Sequence, residues 1–132
     1  MSIPEWDNRV FLPVWISKPR PVLSSPEKYR ALVDTGATNS MISSEVIREL
    51  SLPVIDRVAY SSASESNKET TLHFVRLDID PASGGKDDFA IGVAKMGSHP
   101  SHFQVLLGMD VLSSYELRIS RGELFLKRLS SS

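Results

Sequence analysis

The run Tyr29-Arg30-Ala31-Leu32-Val33-Asp34-Thr35-Gly36-Ala37 constrains this chain more than any other segment. A stretch with strand character leads straight into a carboxylate, and Thr and Gly follow it. An isolated Asp-x-Gly is ordinary turn chemistry, in which Asp accepts local backbone hydrogen bonds and Gly takes a positive φ. Here Ala31-Leu32-Val33 delivers Asp34 from what reads as a buried strand, where an unpaired charge is costly. A second element, Leu106-Leu107-Gly108-Met109-Asp110-Val111-Leu112, follows late in the chain and gives Asp34 a possible partner in the fold.

The remainder reads as strands. Val10 to Ile16 is rich in β-branched and aromatic residues, with Pro13 arguing for an edge or a bulge. Lys18 to Lys28 holds Pro19, Pro21 and Pro26 and reads as a loop. Ser43 to Leu50 is the best helix candidate, with a serine to cap it, Glu45 in the first turn and Pro53 limiting its extension. Val58-Ala59-Tyr60 and Leu72 to Ile79 flank a polar stretch and predict a long hairpin, with an uneven alternation that suggests a bulge near Arg76. Asp88 to Ala94 and Phe103 to Leu107 are further strands, Met109 to Ser114 a helical turn, and Glu116–Ile119 with Glu123–Leu126 a closing hairpin around Arg121-Gly122. About eight short strands with one or two short helices make an all-β, mostly antiparallel fold.

Composition narrows the function classes. A length of 132 residues fits one domain over 1–132, with a core over roughly residues 8–128. Hydrophobic residues are 41% and charged residues 23%, which is globular rather than disordered. Fifteen basic and sixteen acidic side chains leave a net charge of -1 with no clustering, so no nucleic-acid partner is expected. The absence of cysteine excludes disulfides, thiolate zinc sites and a cysteine nucleophile together. Met1 to Asp7 carries acid where a signal peptide needs base, and no apolar stretch is long enough to span a bilayer. The expectation is a soluble, cytoplasmic protein with no membrane partner.

Leu32-Val33-Asp34-Thr35-Gly36-Ala37, the Val58–Ile79 hairpin and Leu106-Leu107-Gly108 together resemble the retropepsins, the retroviral-type aspartic proteases and their cellular and bacterial relatives. The resemblance covers roughly Val10 to Phe125, in the family's order and spacing. It implies a closed β-barrel of the acid-protease fold, in the form of one protomer. It implies an aspartic-type endopeptidase, a hydrolase that needs no cofactor and no metal. One Asp-Thr-Gly is present, so a second copy of the chain would supply the other carboxylate in an isologous homodimer. Two carboxylates at about 3 Å share a proton. Ionised Asp34 would activate a water while its protonated mate hydrogen-bonds to the scissile carbonyl of a peptide or protein substrate.

The neighbours take roles from the same resemblance. Thr35 would hydrogen-bond across the dimer axis, Gly36 would let backbone approach the dyad and substrate, and Ala37 would line the cleft wall. Thr38 and Asn39 are candidate subsite borders or plain loop. Gly108 would pack beneath the active-site loop. The hairpin tip, with Ser62, Ala63, Ser64, Glu65 and Ser66, would be the flap over the substrate, although it contains no glycine, unlike viral flaps. Viral members often carry Arg after the late Gly, paired with an acid just beyond the catalytic triplet. Met109 and Thr38 stand in those places, so that ion pair cannot form, and Asp110 is free to accept from Ser40 or nearby backbone. Of the termini, Glu123–Leu126 suits a strand of a dimer sheet and Met1–Asp7 does not.

Other polar residues carry weaker readings. His73, His99 and His102 lack ligand spacing, and Asp78, Asp80, Asp87 and Asp88 surround a Gly-Gly turn without calcium-loop spacing. No serine sits in a Gly-x-Ser-x-Gly setting. The alternative to an active endopeptidase is a retropepsin-like domain used for dimerisation or peptide binding, with little or no proteolysis.

Overall fold

Val14 and Ile16 alternate with Pro13 and Trp15, and that period of two is what commits the first segment to a strand with one buried face. In the computed structural model, which describes residues 9–20, 22, 24–60, 68–80, 87–97, 100, 102–121 and 123–129, this segment is β1 (Phe11–Ser17). It pairs antiparallel with β2 (Glu27–Val33), from Phe11 opposite Leu32 to Ile16 opposite Glu27. Then come β3 (Met41–Ile42), α1 (Ser44–Leu50), β4 (Asp56–Tyr60), β5 (Lys68–Asp78), β6 (Asp88–Lys95), β7 (Val105–Leu107), α2 (Met109–Leu112), β8 (Tyr115–Ser120) and β9 (Glu123–Arg128).

The strands run in the order β1-β2-β7-β3-β6-β5-β4, and a further ladder joins β1 to β5 at Trp15–Asp78, Ile16–Leu77 and Ser17–Arg76. That ladder closes six strands into a barrel and leaves β4 outside, paired with β5. Val14, Ile16, Ala31, Ile42, Val75, Leu77, Val93, Val105 and Leu107 fill its interior with no exposed surface. Burying each Val, Leu or Ile fully contributes about 1.5–3 kcal/mol, so this interior is the main source of stability. Most ladders are antiparallel, but β2–β7 and β3–β6 are parallel.

Local details follow the sequence closely, with one exception. Ser43 caps α1, its Oγ accepting from the Val46 amide at 3.4 Å, and Val46 and Leu50 are buried. Pro13 lies where β1 has a single strand neighbour, since pairing with β5 begins at Trp15, so its missing N–H is harmless. The expected bulge near Arg76 does not occur. β5 pairs with β6 in unbroken register from Leu72–Ala94 to Asp78–Asp88. The inward residues are His73, Val75 and Leu77, so Phe74 points outward and is 51% exposed. The uneven alternation came from that exposed phenylalanine and from a buried histidine. The His73 ring is satisfied on both sides, by Thr71 Oγ1 at 2.7 Å and by the Pro53 carbonyl at 2.9 Å.

β8 and β9 form a separate two-stranded sheet, from Tyr115–Arg128 to Ser120–Glu123. Leu117 and Leu126 pack it onto the core. Asp87 and Asp88, read as part of an acidic turn, are partnered: Asp88 with Arg76, and Asp87 with the Tyr115 hydroxyl. Among the described residues no helix is long and apolar enough to cross a membrane.

Candidate active site

Parallel pairing of β2 with β7 is what positions Asp34. Ala31, Leu32 and Val33 lie opposite Val105, Leu106 and Leu107, and the Asp34 amide extends the ladder by donating to the Leu107 carbonyl at 3.0 Å. On the other side, the Val33 amide donates to the Val10 carbonyl at 2.9 Å. The backbone that carries the carboxylate is therefore fixed between two neighbours. Past Asp34 the chain turns, with the Ala37 amide donating to the Asp34 carbonyl at 3.2 Å.

One oxygen of the Asp34 carboxylate, Oδ1, accepts from the Gly36 amide at 2.9 Å. No cation pairs with Asp34 and no hydrogen bond reaches its Oδ2 among the described residues. The side chain is half-buried and still open on one side. As the turn reading expects, Asp34 accepts from a local amide, but Gly36 has no left-handed backbone, so no positive φ calls for glycine there. Its use is proximity: a Cβ there would lie 3.3 Å from Asp34 Oδ1.

The loop 34–40 rests on the segment that follows β7. The Met109 amide donates to the Ala37 carbonyl at 2.8 Å, and the Asp110 amide to the Thr38 carbonyl at 3.0 Å. Ser40 is fully buried between them. Its hydroxyl donates to Asp110 Oδ1 at 2.7 Å and accepts from the Gly108 amide at 2.9 Å, while its own amide donates to Asp110 Oδ2 at 2.9 Å. Asp110 thus accepts from Ser40 twice and from the Val111 amide at 2.9 Å. This network satisfies the Asp110 carboxylate with short local donors.

Gly108 is where the two segments come closest. A Cβ built there would lie 2.7 Å from the Asn39 carbonyl carbon and 2.8 Å from the carbonyl oxygens of Ala37 and Asn39. Thr35, Thr38 and Asn39 are exposed, and Ala37 is half-buried. The structure therefore brings Asp34, Gly36, Ala37 and Gly108 together and leaves Thr35 on the rim of the same loop. The tip with Ser62, Ala63, Ser64, Glu65 and Ser66 lies outside the described residues, as does the segment Met1–Asp7. No group of side chains suited to a metal ion occurs among the described residues.

The family described as gag-polyprotein putative aspartyl protease matches residues 24–114, which include Asp34, β4, β5 and Gly108. The chain belongs to that family. Among solved structures, a retropepsin-like aspartic protease from Rickettsia conorii is similar to this family member with a TM-score of 0.61 at 18% identity, covering 91% of this chain and 81% of that one. The retroviral protease-like domain of Ddi1 from Leishmania major gives a TM-score of 0.49 at 16% identity, covering 91% of this chain and 90% of that domain. No curated protein matches in sequence. The fold is that of the retropepsin-like aspartic proteases: mostly strands, a closed six-stranded barrel and two short helices.

Proposed function

We propose that this family member is an aspartic endopeptidase whose active site forms between two copies of the chain, each supplying Asp34. The observation that carries the reading is the presentation of Asp34. Its backbone is anchored on Leu107, one carboxylate oxygen is held by Gly36, and the other is open among the described residues. Asp78, at the end of β5, takes a similar single local bond from the Asp80 amide, so what sets Asp34 apart is its anchoring on Leu107 and the packing of its loop on Gly108.

In the paired state, one Asp34 is ionised and the other protonated. The ionised carboxylate takes a proton from a water held between the two, and that water attacks the scissile carbonyl carbon. The protonated carboxyl donates to the carbonyl oxygen, giving a neutral tetrahedral diol without a covalent enzyme intermediate. The carboxyl that took the water proton passes it to the leaving nitrogen while the other carboxylate takes a proton from a diol hydroxyl, so the C–N bond breaks and the dyad again holds one proton. Thr35, on the rim of the loop, is assigned to contacts across the two-fold axis. Gly36 and Ala37 border the cleft, and Gly108 holds the loop from beneath. The Asp110–Ser40 network supports that loop within one chain, independently of the partner.

The test is cleavage of a denatured protein from about pH 4 to 7 by the wild type and by Asp34→Asn. Cleavage by the wild type alone is expected. Cleavage that persists in Asp34→Asn overturns the mechanism. A stable dimer without any cleavage favours a dimerisation or peptide-binding domain instead.

A further inference from the structure

The outward face of the β1–β2 hairpin has a composition that barrel stability does not require. Tyr29 and Ala31 point into the core, so Lys28, Arg30 and Leu32 point outward, and Asp34 is the next position in that series. Their cross-strand neighbours are Trp15, Pro13 and Phe11. The Arg30 guanidinium lies 4.1 Å from the centre of the Phe11 ring, and the Lys28 ammonium 5.7 Å from that of Trp15. Both cations are exposed, and among the described residues neither has an acidic partner. A cleft of about 500 Å³ opens here between Phe11, Pro13, Lys28, Arg30 and Gln104. Its edge is firm, because the Arg30 amide donates to Gln104 Oε1 at 3.1 Å and the Gln104 amide to the Arg30 carbonyl at 2.9 Å.

We propose that this face is an accessory substrate site that takes an acidic segment of an extended polypeptide, starting where the chain leaves the cleft beside Leu32. The proposal rests on the reading of Asp34 as the catalytic group. A strand rises about 3.3 Å per residue, which puts Arg30 about 13 Å and Lys28 about 20 Å from Asp34. An extended substrate has the same rise, so the acids it offers would stand about four to six residues from the scissile bond. The guanidinium keeps its edge N–H groups free for a carboxylate while its face lies on Phe11, and the aromatic wall accepts the apolar parts of the segment. The chain's net charge of -1 makes this local pair of unmatched cations a feature of the face and not of the whole surface.

The test uses an extended peptide with apolar residues flanking its central bond, made with Glu-Glu or Gln-Gln at about four to six residues from that bond, on each side in turn. At low salt the Glu-Glu form is expected to show a kcat/KM about three- to tenfold higher, chiefly through KM, as two exposed ion pairs can supply. The ratio should fall toward one at about 0.5 M NaCl, where charges on the surface are screened. It should drop below one in Lys28→Glu/Arg30→Glu. Should charge reversal disturb folding, Lys28→Gln/Arg30→Gln repeats the comparison with an expected ratio of about one. Equal kcat/KM for the two peptides in the wild type at low salt overturns the proposal. If neither peptide is cleaved under any condition, fluorescence anisotropy of the labelled peptides decides separately from catalysis. Preferential binding of the Glu-Glu form that the double variant loses supports the acidic site even as the reading of Asp34 fails, and no preference overturns it. Tighter binding of a single-stranded oligonucleotide than of the acidic peptide, lost in the same variant, also overturns it.

Discussion

Gly108→Ala adds one methyl group at the point where the loop carrying Asp34 rests on the segment after β7. The backbone at Gly108 has φ -100° and ψ -172°, an extended conformation open to any residue. On conformational grounds alone, alanine would therefore stabilise by about 0.4–1 kcal/mol through the unfolded chain. The space decides otherwise. The new Cβ would meet the Asn39 carbonyl carbon at 2.7 Å and the Ala37 and Asn39 oxygens at 2.8 Å, all of them backbone. Relief requires moving the loop away from Gly108, against the bonds from Met109 to Ala37 and from Asp110 to Thr38. Overpacking of this kind costs about 1–3 kcal/mol, and loosening either bond adds about 1 kcal/mol, so a net loss of about 2 kcal/mol is expected. With a urea m-value of about 1.5 kcal/mol/M, the unfolding midpoint should fall by about 1.3 M while m is unchanged. Gly92→Ala is the control, since its Cβ would stand 3.4 Å from Phe74 Cε1 and 3.5 Å from Leu72 Cδ1, in ordinary contact with side chains that can shift. A midpoint for Gly108→Ala at or above that of the wild type would refute the packing argument.

Other consequences are equally concrete. Ser40→Ala leaves the buried Gly108 amide without its acceptor and Asp110 without its shortest donor, so a loss of about 1–3 kcal/mol in urea unfolding is expected; a change within about 0.5 kcal/mol would contradict it. Gly36→Ala places a methyl 3.3 Å from Asp34 Oδ1, so kcat should fall at least about tenfold with little change in the unfolding midpoint, and unchanged kcat would show that the carboxylate tolerates reorientation. Burial, and then the hydrogen bond to Asp87, push the Tyr115 phenol upward, with Arg128 acting against them. The folded chain thus holds that proton more tightly than the unfolded one. Its contribution is complete below the ordinary tyrosine value near about 10 and is lost as pH rises beyond it. Urea midpoints measured from about pH 8 to 11 should decline less steeply for Tyr115→Phe than for the wild type, and parallel declines would contradict this.

How much of this was legible in the sequence depends on the range of the interactions involved. The helix from Ser44, the edge position of Pro13 and the closing hairpin are set by neighbours in the chain, and they stand as read. The outward-facing Phe74 broke the alternation rule, because exposure of one aromatic is invisible without knowing which face of β5 meets β6. The parallel ladder of β2 with β7 could not be derived from local pattern, since it joins residues more than seventy positions apart (Ala31 with Val105). Resemblance supplied the association of Asp34 with Gly108, while the structure supplied its physical basis in close backbone approach. Asp110 was suspected as an acceptor for Ser40, but nothing in the sequence showed that the serine is fully buried and bridges Gly108 as well. The stacking of Lys28 and Arg30 on Trp15 and Phe11 was missed entirely. The alternation of basic and core residues in Lys28-Tyr29-Arg30-Ala31 was the available signal, and it needed the register of β1 to be read.

The central claim is that catalysis requires Asp34 from two chains at once, and mixing wild type with Asp34→Asn at constant total concentration tests it most directly. After exchange, the fraction of dimers with two aspartates is the square of the wild-type fraction, so an equal mixture should retain about one quarter of the wild-type rate. A rate that falls in simple proportion, to about one half, would mean that each chain works alone and would contradict the account.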